Sequence, residues 1–249
     1  MNIKKLYVNG CSWTDGDVLD LARLVEIGTG RNYSYPTLVA NEFGYNLIDE
    51  SRYGGSINRI VRMCWNYIMT NDITNTIFIL EIPNGFRDEI YSNKFERYFN
   101  VTGGNLNNPH DKTENNKEWY EIKNDVVDTY FNFLNFEEFN KKEYINLMGL
   151  ISYIKQHTRH MYLIQPYEMI NKYNIFNQLI TDVNIIKLSD NTFKINEYNL
   201  IQDMCKNEEL SLGHELNKGT EDTHPGISGH KKLSEIIIEH LINNDSNSI

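Results

Sequence analysis

Thr76-Ile77-Phe78-Ile79-Leu80-Glu81-Ile82 is a short run of mostly β-branched and aromatic residues, apolar at nearly every position. A strand with one wet face alternates polar and apolar residues, whereas a near-continuous apolar run needs cover on both faces. Working outward, Lys5–Asn9 and Tyr45–Ile48 read as strands upstream, and His160–Gln165 and Val183–Leu188 as strands downstream. Helical patterns lie between them. One opens at Ser34-Tyr35-Pro36, carries Leu38, Val39 and Phe43, and stops at Gly44. Another starts from Ser56 as N-cap, with Ile57, Ile60, Val61, Cys64 and Ile68 on one face. A third passes through Tyr144, Leu147, Met148 and Ile151. The last starts near Ser228, read as its N-cap, carries Leu233, Ile236, Ile237 and Leu241, and precedes a polar tail at 243–249. Parallel strands need long crossovers, so the expectation is an α/β fold: a three-layer α/β/α sandwich around a five-stranded parallel, flavodoxin-like sheet. The stretch 88–136, rich in Asn and aromatic residues and without a sustained period, is expected to be an insertion or lid.

The chain has 249 residues, a formal net charge of −10 and a hydrophobic fraction of 40%, which suits one domain over 1–249. An acidic balance argues against a nucleic-acid surface, because phosphate neutralisation needs clustered Lys and Arg. Plentiful Ile, Leu and aromatic residues argue against disorder. No apolar run reaches membrane-spanning length, and Met1–Leu6 runs into a strand instead of a signal peptide, so a cytoplasmic protein is expected. Cys11, Cys64 and Cys205 leave one thiol over in any disulfide scheme and lack zinc-site pairing, in keeping with a reducing interior.

In open α/β sheets chemistry collects beyond the carboxyl ends of the strands. The first strand ends in Asn9-Gly10-Cys11-Ser12-Trp13-Thr14-Asp15-Gly16, where Ser12 is placed to face that crevice. The following helix N-terminus could supply N–H groups to an oxyanion. The same residues also fit a turn, a helix cap or an anion cradle of flavin-mononucleotide type. Beyond the second strand, Arg52-Tyr53-Gly54-Gly55-Ser56 allows close backbone approach or a plain capped turn. After the third, Asn84 in Pro83-Asn84-Gly85 offers an amide, or an ordinary turn pair. Before the last helix stands Glu221-Asp222-Thr223-His224-Pro225-Gly226-Ile227-Ser228-Gly229-His230. Histidine suits proton transfer near neutral pH, and a nearby carboxylate can hold its tautomer. His230 reads as a capping or packing histidine, and Cys11 as packing inward.

Taken together, these blocks resemble the SGNH/GDSL hydrolase family, from Leu6 to about Leu241 apart from 88–136. The matching positions are Ser12, Gly55, Asn84 and His224. Gly-Cys-Ser replaces the family's Gly-Asp-Ser, and Glu81-Ile82-Pro83-Asn84-Gly85 replaces Gly-x-Asn-Asp. The family's acid stands three residues before the histidine, where this chain has Glu221; Asp222 is one residue closer, with a shorter side chain that is more easily held rigid. The resemblance implies hydrolysis of a carboxylic ester without metal or organic cofactor. Ser12 would be the nucleophile, His224 the base, Asp222 or Glu221 the orienting acid. Ser12 and Gly55 N–H with the Asn84 amide would form the oxyanion hole. Small-molecule, glycan and lipid esters all fit an open crevice, and a non-catalytic binding or structural protein on the same scaffold is the alternative.

Overall fold

The computed structural model describes residues 5–21, 25–83, 87–102, 118, 121–123, 126, 136–158, 160–164, 184–186 and 224–246. The parallel sheet contains β1 (Lys5–Asn9), β2 (Asn46–Asp49), β3 (Thr76–Glu81), β6 (Met161–Ile164) and β7 (Asn184–Ile186). Its spatial order is β2-β1-β3-β6-β7, and every neighbouring pair is parallel. This is the five-stranded flavodoxin-like order expected from the sequence. Leu6 faces Leu47 on one side and Ile77 on the other, and Leu80 faces Leu163.

Strand alternation sorts the apolar run into two cores. Tyr7, Phe78, Leu80 and Leu163 pack against α3 (Ile57–Thr70) and α4 (Phe136–His157) through Ile60, Cys64, Leu147 and Ile151. Leu6, Val8, Ile77, Ile79 and Ile164 pack on the opposite face against α2 (Tyr35–Phe43) and α5 (Ile227–Ser246) through Val39, Leu233 and Ile237. Every residue of β3 is buried, which is why the run has no polar alternation. Gly44 closes α2 in the left-handed conformation (φ 68°), and Tyr45 N–H reaches back to the Ala40 carbonyl at 2.9 Å. The Ser56 hydroxyl caps α3 by accepting from Arg59 N–H at 3.1 Å.

The structure differs from expectation in three places. The stretch 88–136 opens with an antiparallel hairpin, β4 (Arg87–Ser92) and β5 (Arg97–Thr102). Its strands escape a period-based reading because polar contacts hold it: the Arg62 guanidinium grips both Glu89 oxygens at 2.8 and 2.7 Å and lies 4.0 Å above the Tyr98 ring. Asn58 adds a bond to Asp88 at 2.8 Å. The other face shields Phe99 and Val101 with Val126. Second, α5 starts at Ile227, so Ser228 lies inside its first turn and is not the cap. Third, α5 runs to Ser246, into the expected tail; Leu241 is buried while Ile242 is 50% exposed, so the final turn continues beyond the packed face. Among the described residues, no helix is long and apolar enough to cross a membrane.

Candidate active site

Ser12 sits where β1 ends, between the loop after β2 on one side and the end of β3 on the other. No helix begins there. Thr14 N–H and Asp15 N–H both donate to the Cys11 carbonyl at 3.0 Å, forming a tight turn, and α1 (Asp17–Leu21) starts only later. The expected helix N-terminus behind Ser12 is therefore replaced by this turn.

Beneath it lies a carboxylate that the sequence reading passed over. Glu81, 1% exposed at the end of β3, accepts from Cys11 N–H at 3.1 Å through one oxygen and from the Cys11 thiol at 3.1 Å through the other. The Thr14 hydroxyl also donates to Glu81 and lies 3.0 Å from the Tyr35 hydroxyl. A Cβ on Gly10 would stand 2.4 Å from the Thr14 oxygen and 2.7 Å from a Glu81 oxygen, so the glycine is required by crowding. The available signal was the single charge closing an otherwise apolar strand. Cys11 is fully buried, and burial first, then the Glu81 charge, pushes its thiol up to about 12. It is a neutral packing residue, as expected, and no rival nucleophile.

His224 enters from the far end of the chain. Its Nε2 lies 2.9 Å from Ser12 Oγ across 212 residues of sequence. Pro225 and Gly226 lead directly from it into α5, so the helix docked on the sheet aims the ring. His230, one turn into α5, is fully buried, and its Nδ1 accepts from Tyr35 N–H at 3.4 Å. Burial, then the nearby His224, lowers its pKa to about 4, so it is a neutral packing group.

Gly55 is brought to the same strand end. A Cβ there would stand 2.7 Å from the Gly10 carbonyl oxygen, which itself accepts from Arg52 N–H at 3.3 Å. Its own N–H donates to the Arg52 carbonyl at 2.8 Å and closes a turn. Asn84, Glu221 and Asp222 lie outside the described residues.

A second carboxylate network, also missed by the sequence reading, holds the loop after β2. Asp15, fully buried, accepts from Tyr53 N–H at 2.7 Å through one oxygen and from Asp17 N–H at 3.0 Å through the other. Arg31 lies 3.3 Å from Asp15, pairs with Asp17 at 2.9 Å and donates to the Ser51 carbonyl at 3.2 Å. Burial pushes the Asp15 carboxyl up to about 6 against these opposing contacts, whereas the Arg31 bonds hold Asp17 below the usual carboxylate range. From the hairpin, the Asn100 amide donates to the Tyr53 carbonyl at 3.1 Å. The Tyr53 ring centroid is 6.3 Å from that of His224.

No family model matches the chain, and no curated protein matches it. Solved structures do. The psychrotrophic esterase EstA from Pseudoalteromonas sp. is 12% identical, with a TM-score of 0.50 over 96% of this chain and 97% of that one. A catalytic mutant of the acetylxylan esterase Axe2 from Geobacillus stearothermophilus is 11% identical, with a TM-score of 0.49 over 97% and 96%. A putative lipolytic protein of the G-D-S-L family from Desulfitobacterium hafniense DCB-2 is 11% identical, with a TM-score of 0.48 over 95% and 99%. Identity this low carries the fold and not the chemistry. The likeness to EstA, together with the strand order, gives this chain the fold of that esterase, a parallel five-stranded sheet between two helical layers.

Proposed function

We propose that the protein is a serine hydrolase that cleaves carboxylic esters. The observation that carries this reading is the 2.9 Å approach of His224 Nε2 to Ser12 Oγ at the carboxyl end of β1. A nucleophile and base within hydrogen-bond reach make up the central pair of an acyl-transfer site. Ser12 Oγ bonds to the ester carbonyl carbon while His224 Nε2 takes the hydroxyl proton. The tetrahedral intermediate then collapses, the carbon–alkoxy bond breaks, and His224 returns the proton to the leaving oxygen. Water, deprotonated by His224, then bonds to the acyl carbon, the bond to Ser12 Oγ breaks, and His224 returns that proton to Oγ as the acid leaves. Asp222 or Glu221 orients His224, as the family resemblance implies. Ser12 N–H, Gly55 N–H and the Asn84 amide stabilise the oxyanion, with Gly55 sharing an N–H that otherwise closes its turn.

The substrates are small-molecule or glycan esters reached through an open crevice. The chain forms one domain, and its 88–136 segment flanks the crevice as an insertion. Phe99 anchors that segment inward at 8% exposure, while Tyr98 stays 41% exposed beneath Arg62. Cys11 and Cys64 are free, buried thiols, which supports a reducing, cytoplasmic setting.

Covalent labelling by a fluorophosphonate tests the reading. The expected result is stoichiometric modification at Ser12, with labelling and p-nitrophenyl acetate hydrolysis both abolished in folded Ser12→Ala and His224→Ala proteins. Absence of labelling in the wild type would favour a non-catalytic binding protein on the same scaffold.

A further inference from the structure

Tyr53 has no part in the chemistry above, yet its placement is closely controlled. It is 54% exposed, with its ring tilted 32° to the His224 ring at 6.3 Å. Its backbone is held on both sides, the N–H by buried Asp15 at 2.7 Å and the carbonyl by Asn100 at 3.1 Å. Fixing this loop costs conformational freedom, while the exposed ring gains little from burial within the protein itself. That balance improves when a ligand covers the ring.

The position of the ring beside His224 says which part of a substrate it meets. The group that protonates the leaving oxygen stands on the leaving-alcohol side of the scissile bond, so a ring next to it faces the alcohol and not the acyl chain. A lipid tail needs an enclosed apolar wall. A solvent-open phenol suits a ligand with one apolar face and a hydrated rim. Resting on the esterase reading of Ser12 and His224, we propose that Tyr53 is a platform for a saccharide leaving group, and that the substrate is an O-acylated sugar whose C–H face stacks on the ring. The ester bond to the sugar oxygen breaks, that oxygen takes the proton from His224, and the acyl group passes through Ser12 to water.

Glucose pentaacetate and ethyl acetate share an acetyl group and differ in the alcohol, so acetate release from each isolates the platform. In the Tyr53→Ala protein, kcat/KM should fall about tenfold further on glucose pentaacetate than on ethyl acetate, mainly through KM. Tyr53→Phe, which keeps the ring, should preserve the wild-type ratio. Equal losses on both esters, or no selective loss on the sugar ester, would overturn the proposal. So would a wild-type protein that labels at Ser12 and cleaves ethyl acetate but not glucose pentaacetate, and that result leaves the esterase reading standing. Failure of the wild type to label at Ser12 rejects the esterase reading and this proposal with it.

Discussion

The turn at 10–15 carries Ser12 and the loop at 51–55 lies beside it, and each depends on a buried carboxylate used in a different way. Glu81 lies inside the turn, and its bonds to Cys11 and Thr14 are all satisfied within the core. Asp15 reaches outward, binding the main chain of a loop whose most prominent side chain, Tyr53, remains in solvent. The first arrangement holds the segment that carries Ser12 in place. The second holds a loop by its main chain and leaves the Tyr53 side chain outside the packed turn. In the proposed reading, chemistry and specificity are anchored separately, from β3 and from the β1–α1 turn, although they meet at one strand end.

The most severe way to break the comparison is Glu81→Ala. It leaves Cys11 N–H and the Thr14 hydroxyl buried without this acceptor, at a cost of roughly 3 kcal/mol. Urea unfolding should register the loss, and fluorophosphonate labelling of Ser12 should slow with it. A Glu81→Ala protein of unaltered stability and labelling rate would show that the turn does not depend on β3.

Asp15→Asn should act on the other side alone. In the folded protein Asp15 takes up a proton near pH 6, whereas its ordinary value is 3.8. Protonation turns one acceptor oxygen into a donor facing either Tyr53 N–H or Asp17 N–H, and it removes the charge beside Arg31. The KM for glucose pentaacetate should therefore rise as pH falls through about 6. The Asn variant should show the raised KM at neutral pH, without that inflection. For stability the sign is opposite to that of an ordinary paired carboxylate. The folded state binds this proton more tightly than the unfolded chain, so stability falls as pH rises from 3.8 to about 6. Melting curves across that window should show a shallower fall in Asp15→Asn, by a few degrees. Identical slopes in both proteins would place the proton elsewhere.

The smallest expected effect comes from Asn100→Ala. It removes one partly solvated bond to the Tyr53 carbonyl while Asp15 still holds the N–H. KM for the sugar ester should rise about twofold, with labelling of Ser12 unaltered. A larger change would make the hairpin, and not Asp15, the main support of the loop.

Much of the scaffold was readable from local pattern. The fully buried β3 announced itself as an apolar run, Gly44 and Ser56 as helix boundaries, and Ser12 and His224 as residues at strand and helix ends. The hairpin escaped, because β4 carries Arg87, Asp88 and Glu89 and owes its docking to Arg62 and Asn58. Glu81 and Asp15 escaped for a related reason. A carboxylate's role is set by which N–H groups surround it, and those of Cys11 and Tyr53 come from segments 70 and 38 residues away.

Hydrophobic periodicity is a local property of the chain, and it was enough by itself to determine the five sheet strands, the helices α2 to α5 between and after them, and the three-layer architecture. Hydrogen bonds act over about 3 Å and require particular orientations. Only the tertiary structure, by laying β1 between β2 and β3 and returning α5 to the same edge, decided that Ser12 would meet His224 and that Tyr53 would stand beside them.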